Sequence, residues 1–422
     1  MKSSIELQLS NVQQKVLINK ALAWALNFDY FTYFNPNNYT FPNEPFEHML
    51  LVGNSKIEAP AGSTFDFLHK HLQKEQLLAG HFSYDLKNEI ETLVSNNKSI
   101  ISSENASFFT ASTAIYLNGQ TIRIESEKNP NEVLNQIELT IADKYQQDSI
   151  NFESLVSKDE YLRTANRLIE HIIEGDIYEI NYCIPFIARN CQLNPTAIYQ
   201  LLCEKYPSPF SVLYKNNNQF IISGSPERFL KREGDKLISQ PIKGTSKRGK
   251  TKEEDLQLKT KLRSNEKELA ENMMIVDLVR NDLAKSCKPG SVKVEEMFGI
   301  YTFPLWHQMI STVTGDLKHE VNACEAIKNA FPMGSMTGAP KIKVMELIEK
   351  YEITKRGIYS GAIGYFKPNG DFDFNVVIRS LIYDQSTTTC TFHVGSAITF
   401  DSDPEAEYEE CLLKAKTLTS LF

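Results

Sequence analysis

The sequence predicts an α+β protein in which large mixed or antiparallel sheets pack against helices. Two observations carry that prediction. β-Branched runs recur along the chain, and Asn118-Gly119 and Asn369-Gly370 stand between consecutive ones. Asn-Gly accepts the positive φ of a tight reversal, so such runs return antiparallel rather than through a βαβ crossover. In the C-terminal part, helical windows with recognisable caps alternate with the runs, as antiparallel sheets bordered by helices allow.

In chain order, Thr113-Ala114-Ile115-Tyr116-Leu117 and Thr121-Ile122-Arg123-Ile124 form the first hairpin. Residues 143–149 are a polar stretch that reads as a linker. A helix is expected over 158–174, closed by Gly175. Phe220-Ile221-Ile222-Ser223 and Lys236-Leu237-Ile238-Ser239 are strand-like, and the second runs into Gln240-Pro241-Ile242-Lys243-Gly244-Thr245, where a tight turn would hold Lys243. Helices are expected over 265–282 and 341–351, then strands over 358–365, 374–383 and 389–395. A last helix opens at Ser402-Asp403-Pro404-Glu405, spaced as a capping box.

A chain of 422 residues, 41% hydrophobic and 23% charged, has material for a sizeable core. With 45 basic and 53 acidic residues the net charge is −8, which argues against nucleic acid or an anionic membrane as a main partner. The seven cysteines include no CxxC pair and read as reduced thiols. No apolar signal segment follows Met1 and no run of about 18 apolar residues occurs, so a cytoplasmic location is expected.

Three features bear on chemistry. Gly334-Ser335-Met336-Thr337-Gly338-Ala339-Pro340-Lys341 has the outline of a phosphate loop, but Ala339-Pro340 separates glycine from lysine and proline removes an amide donor. Its glycine-rich turn still offers amides and charge to a carboxylate. Glu268 and Glu271, three apart, share one helix face, and Glu407 and Glu410 repeat that spacing. The ordinary reading is two solvated faces with a Lys267–Glu271 pair; facing each other, the same helices would supply oxygen ligands to Mg²⁺. Lys243 is a candidate amine nucleophile. At a pKa near 10.4 only about one molecule in two thousand is neutral at pH 7, so burial or the nearby Lys247 and Arg248 are expected to lower it. The ordinary alternative is a lysine that snorkels or binds an anion. Glu227, after a buried-looking strand, is a candidate general acid or else an ion-pair partner of Arg228.

The segments Gly175-Asp176-Ile177-Tyr178-Glu179-Ile180-Asn181, Ser225-Pro226-Glu227-Arg228-Phe229, Pro241-Ile242-Lys243-Gly244-Thr245, 270–282, 331–341, Ile378-Arg379 and 401–410 occur in one order over residues 150–421. In these the chain resembles the chorismate-utilising enzymes, most nearly the aminodeoxychorismate synthase component I branch. The resemblance implies an anthranilate-synthase-component-I-like fold, with 1–145 a variable N-terminal region contributing to the same α/β body and 150–422 the chorismate-binding catalytic region. It implies that Glu271 and Glu407 hold Mg²⁺, with the carboxylates of Glu268 and Glu410 behind them. Glu227 would protonate the departing C4 hydroxyl. Thr245, Gly338, Lys341, Tyr365 and Arg379, with the amides of Gly395-Ser396-Ala397, would bind substrate. Lys243 would attack C2 of chorismate, since the anthranilate synthases typically carry alanine there. Ammonia would then come from a separate glutamine amidotransferase subunit, because none of the cysteines stands in a Gly-x-Cys-x-Gly segment.

The chain departs from the family pattern in three places. Glu179 stands where glutamine is common and where isochorismate synthases place a lysine, which argues against water addition at C2. Gln308 stands where many relatives have histidine, with His307 one residue earlier. Gly395-Ser396-Ala397-Ile398 replaces a run of glycines. Anthranilate synthase component I, isochorismate synthase and a non-catalytic chorismate-binding scaffold are the alternatives.

Overall fold

A computed structural model describes residues 2–141 and 149–422. Of the expected linker, residues 143–148 lie outside the described residues. Among the described residues, a twelve-stranded and a ten-stranded sheet form the body. Every ladder within each sheet is antiparallel. The expectation of large antiparallel sheets with helices holds. Residues before 142 supply strands to both sheets.

Alternation along the strands builds two cores. In Tyr30–Asn35, Tyr30 and Phe34 point to the core between the sheets, whereas Phe31 and Tyr33 point to the core beneath the helices. The strand Glu179–Ala188 is buried along its whole length. Its Ile180, Tyr182, Ile184 and Phe186 join the helix-side core, so Glu179, Asn181 and Cys183 face the space between the sheets. A sheet covered on both faces explains why its strands read as unbroken apolar runs.

The first hairpin pairs Asn118 with Thr121, so its two-residue loop is Gly119-Gln120, one position later than Asn-Gly. The second pairs Phe366 with Phe372 around a loop containing Asn369-Gly370. Helices follow their caps. Ser157 and Glu160 form a capping box for Lys158–Ile173, and the Asn265 side chain accepts from the Glu268 N–H at the head of Glu266–Ser286.

Three local expectations change. Residues 374–383 are not one strand: Phe372–Asn375 belongs to the ten-stranded sheet and Ser380–Asp384 to the twelve-stranded one. The exchange starts at Asn375, whose side chain accepts from the Ile363 N–H (3.1 Å) and donates to the Phe210 carbonyl (2.9 Å), and it ends at Arg379, at φ 51°. Lys243 is not on a tight turn but on the strand Ile242–Lys247. The last helix, Pro404–Thr419, is capped by Asp403 rather than Ser402, because Pro404 fixes the first helical position.

Candidate active site

A cavity of about 440 Å³ opens between the two sheets. The sequence distance of its walls is large: Lys243 comes from an edge strand, Glu227 from the turn after Gln219–Ser225, Arg379 from the crossover, and four glutamates from two helices.

A bulge aims Lys243. Ile242 pairs with Ile310 and Thr245 with Gln308, so three steps on one strand face two on the other. Gly244 takes φ +94, and a Cβ there would lie 3.1 Å from Glu268 Oε2 and 3.2 Å from Met309 Cβ. The Lys243 carbonyl accepts from Asn272 Nδ2 (3.3 Å), and Asn272 Oδ1 accepts from the Ser311 hydroxyl (2.6 Å). The Lys243 side chain is 11% exposed, and its Nζ donates to Glu179 Oε1 at 2.5 Å. Burial alone would lower the lysine pKa, but Glu179, Glu271 and Glu227 together outweigh burial and hold it above its ordinary value. The expected lowering by Lys247 and Arg248 does not occur. Arg248 turns away to Asp255, with Nε 2.7 Å from Oδ1.

Glu227 is buried, and its N–H donates to Ser225 Oγ (3.3 Å). Burial pushes its carboxyl up to about 7, against the opposing pull of Ser335 and Lys243. Arg228 is not its partner. The next side chain points elsewhere, and Arg228 forms a bidentate pair with Asp373 at 2.9 Å on both arms.

Glu268 and Glu271 on one helix and Glu407 and Glu410 on the other line the same cavity. Lys267 Nζ stands 3.1 Å from Glu407 Oε1 and 3.8 Å from Glu271 Oε1, so one cation already bridges carboxylates of both helices. Ser402, freed from capping, donates to Glu407 Oε1 at 3.0 Å. Burial raises Glu271 to about 7, with Glu179 and Glu268 adding and Lys243 opposing. Burial and then Glu410 raise Glu268. Two oxygen donors that converge on one cation fit a hard divalent ion such as Mg²⁺.

Thr245, Gly395 and Ala397 line the cavity with Arg379. The Arg379 guanidinium lies 5.8 Å from the Trp306 ring centre, and burial lowers its pKa against the pull of Glu410. Four expected substrate residues lie elsewhere. Ser396 alternates to the helix side, where its Oγ meets the Tyr161 hydroxyl at 2.7 Å. Lys341 pairs with Asp282 at 2.5 Å and donates to the Ala330 carbonyl. Tyr365 packs between Phe34 and Phe46, and its hydroxyl accepts from the Glu47 N–H. Gly338 pairs with Ile180, with φ +140 and no room for a Cβ, which would lie 2.0 Å from the Glu179 carbonyl oxygen.

Gln308 lines the cavity, while His307 turns to Asp255 (3.0 Å) and Thr302 (3.0 Å), as alternation along Trp306–Asp316 dictates. Lys414, Trp306, Tyr359 and His393 are wall residues that the sequence reading missed. Two had a local signal: Trp306 is two residues from Gln308 on one strand, and Lys414 is one turn beyond Glu410, with which it pairs at 2.7 Å.

With this fold, the chain belongs to the chorismate binding enzyme family, whose pattern matches residues 37–420. It is 39% identical over 296 residues to the probable aminodeoxychorismate synthase, chloroplastic, of Oryza sativa subsp. japonica, covering 69% of this chain and 33% of that protein. It is 37% identical over 265 residues to aminodeoxychorismate synthase component 1 of Bacillus subtilis, covering 63% of this chain and 56% of that one. The matched region thus spans a third to about half of these relatives. Anthranilate synthase component I from Streptococcus pneumoniae superposes with a TM-score of 0.78 at 27% identity, covering 92% of each chain, which places the fold as expected. No described helix is long and apolar enough to cross a membrane.

Proposed function

We propose that the chain acts as aminodeoxychorismate synthase component I, converting chorismate and ammonia to 4-amino-4-deoxychorismate. The observation that carries this reading is the meeting of Lys243 and Glu227 in one cavity, an amine donor opposite a carboxyl whose pKa burial sets at about 7. A carboxyl so poised is in substantial part protonated near neutral pH and can give its proton to a leaving hydroxyl. Lys243, as the amine, forms a bond to C2 while the C4–O bond breaks and Glu227 protonates the departing hydroxyl to water. Ammonia then bonds to C4, the C2–N bond breaks, and Lys243 is released. Arg379, Thr245 and the amides of Gly395 and Ala397 orient the substrate carboxylates. Mg²⁺ held by Glu271 and Glu407 in place of the Lys267 ammonium would neutralise the ring carboxylate. A glutamine amidotransferase subunit supplies the ammonia.

Anthranilate synthase component I is the second reading, favoured by the Streptococcus pneumoniae similarity and opposed by Lys243. Incubation with chorismate, Mg²⁺ and ammonium, with product identified by chromatography, separates the two. Aminodeoxychorismate is expected; anthranilate, isochorismate or no product would each sink the proposal. Lys243→Ala should abolish amination at C4, and unchanged product and rate would remove the lysine from the reaction.

A further inference from the structure

A resting ammonium is not a nucleophile, and Lys243 must hand one proton to something before it can attack C2. The groups that face it are Glu179 from Glu179–Ala188, Glu227, Glu268 and Glu271 from the helix Glu266–Ser286, and Glu410 from the last helix. Glu179 is the one whose oxygen is hydrogen-bonded to Nζ, at 2.5 Å. It is 1% exposed, and its second oxygen, Oε2, is buried with no hydrogen-bond partner among the described residues. A buried carboxylate kept only to neutralise a cation would gain from filling both oxygens. One filled oxygen and one vacant oxygen beside an ammonium describe a group with room for a proton.

We propose that Glu179 is the proton acceptor that turns Lys243 from ammonium to amine in each turnover. This rests on the reading of Lys243 as nucleophile. The N–H bond of Lys243 breaks and an O–H bond forms on Glu179; the freed electron pair makes the bond to C2. When ammonia expels the lysine, Lys243 leaves as an amine and takes its proton back, while the proton released at the new C4 ammonium restores Glu227. The pair ends each cycle as it began, and the sum is chorismate plus ammonia giving aminodeoxychorismate plus water. Transfer within a contact pair also needs no path to solvent, which suits a lysine so little exposed.

Glu179→Gln keeps an acceptor oxygen for the ammonium but cannot take its proton. Steady-state kinetics with chorismate, Mg²⁺ and ammonium are compared for wild type, Glu179→Gln, Glu179→Asp and Lys243→Ala across roughly pH 6–9.5, with free ammonia held constant. For Glu179→Gln the expected result at pH 7 is a kcat about tenfold to hundredfold below wild type, with KM for chorismate changed by less than about threefold. Its kcat should fall less steeply with pH than that of wild type, because solvent base replaces the missing carboxylate, and Glu179→Asp should recover part of the rate. Wild-type kcat should fall with pH above about 7, as Glu227 loses the proton it gives to the leaving hydroxyl. A glutamine variant with the wild-type rate and pH profile, or a faster one, overturns the proposal. So does a wild-type kcat that stays level or rises from about pH 7 to 9, the profile of a lysine that loses its proton to solvent while Glu227 loses its own, a result that holds even if the glutamine variant does not fold. Lys243→Ala separates the two failures. If it aminates like wild type, the nucleophile reading falls and takes Glu179 with it; if it alone loses product while Glu179→Gln is unaffected, only the role of Glu179 falls.

Discussion

Two buried cations in this protein are paired in opposite ways. Arg228 uses all five of its N–H donors: two on Asp373, one each on Asn43 and Glu44 carbonyls, and one on Gln240 Oε1. Both members of that pair are sealed, with side chains 0% and 2% exposed. Among the described residues, Lys243 has a single carboxylate contact, opens onto a cavity, and leaves one oxygen of its partner empty. A fully satisfied pair pins two strands of the ten-stranded sheet, Arg228–Glu233 and Phe372–Asn375. A half-satisfied pair is held by a diffuse field from several carboxylates, which keeps the resting lysine above its ordinary pKa.

The largest stability effect is expected at the sealed pair. Arg228→Met leaves Asp373 buried without its cation and should cost about 3–5 kcal/mol in urea or thermal unfolding. Glu179→Gln should cost about 1 kcal/mol or less, because Glu271 and Glu227 still balance Lys243 and an acceptor oxygen remains. Equal losses from the two substitutions would break the contrast.

Glu227 sharpens the contrast from the side of pH. Its folded pKa of about 7 lies above the ordinary glutamate value, so the native state binds the extra proton and stability falls as pH rises toward 7. Glu227→Gln removes that penalty. The variant should melt higher than wild type at pH 8 and no higher at pH 5, while its kcat falls by about 10²–10⁴. A melting difference that is the same at both pH values would mean that the carboxyl is not desolvated.

Much of the site was legible because its chemistry sits in short segments. The helix carrying Glu268 and Glu271 was readable from its cap and spacing, and Lys243 was singled out by its segment although it was expected on a tight turn rather than on a strand. The charge state of Lys243 was not, because it is set by Glu179, 64 residues away, and by Glu271 on another element. The adjacent Lys247 and Arg248 were the visible neighbours and the wrong ones to weigh. The crossover at 376–379 was hidden for a related reason: an apolar run buried throughout carries no mark of which sheet each half joins. Lys341 and Tyr365 look exposed to substrate in the one-dimensional order, but their partners Asp282 and Phe34 arrive from distant segments.

The smallest effect concerns Ser402, where a cap signal conceals a positioning role. Its hydroxyl donates to Glu407 Oε1, the same oxygen that Lys267 approaches, and it accepts from the Thr399 N–H at 3.0 Å. Asp403 does the capping, so Ser402→Ala should leave helix Pro404–Thr419 intact and cost only the hydrogen bond, about 1 kcal/mol. If Glu407 holds a metal ion, losing the group that orients it should weaken Mg²⁺ binding by up to about tenfold in titration calorimetry, toward the low end of the usual cost of removing an outer hydrogen-bond partner. Restoring the hydroxyl with Ser402→Thr should recover the affinity. Loss of helix content in the alanine variant would instead return Ser402 to the role of cap, and an unchanged Mg²⁺ affinity would mean that Glu407 is oriented by Lys267 alone.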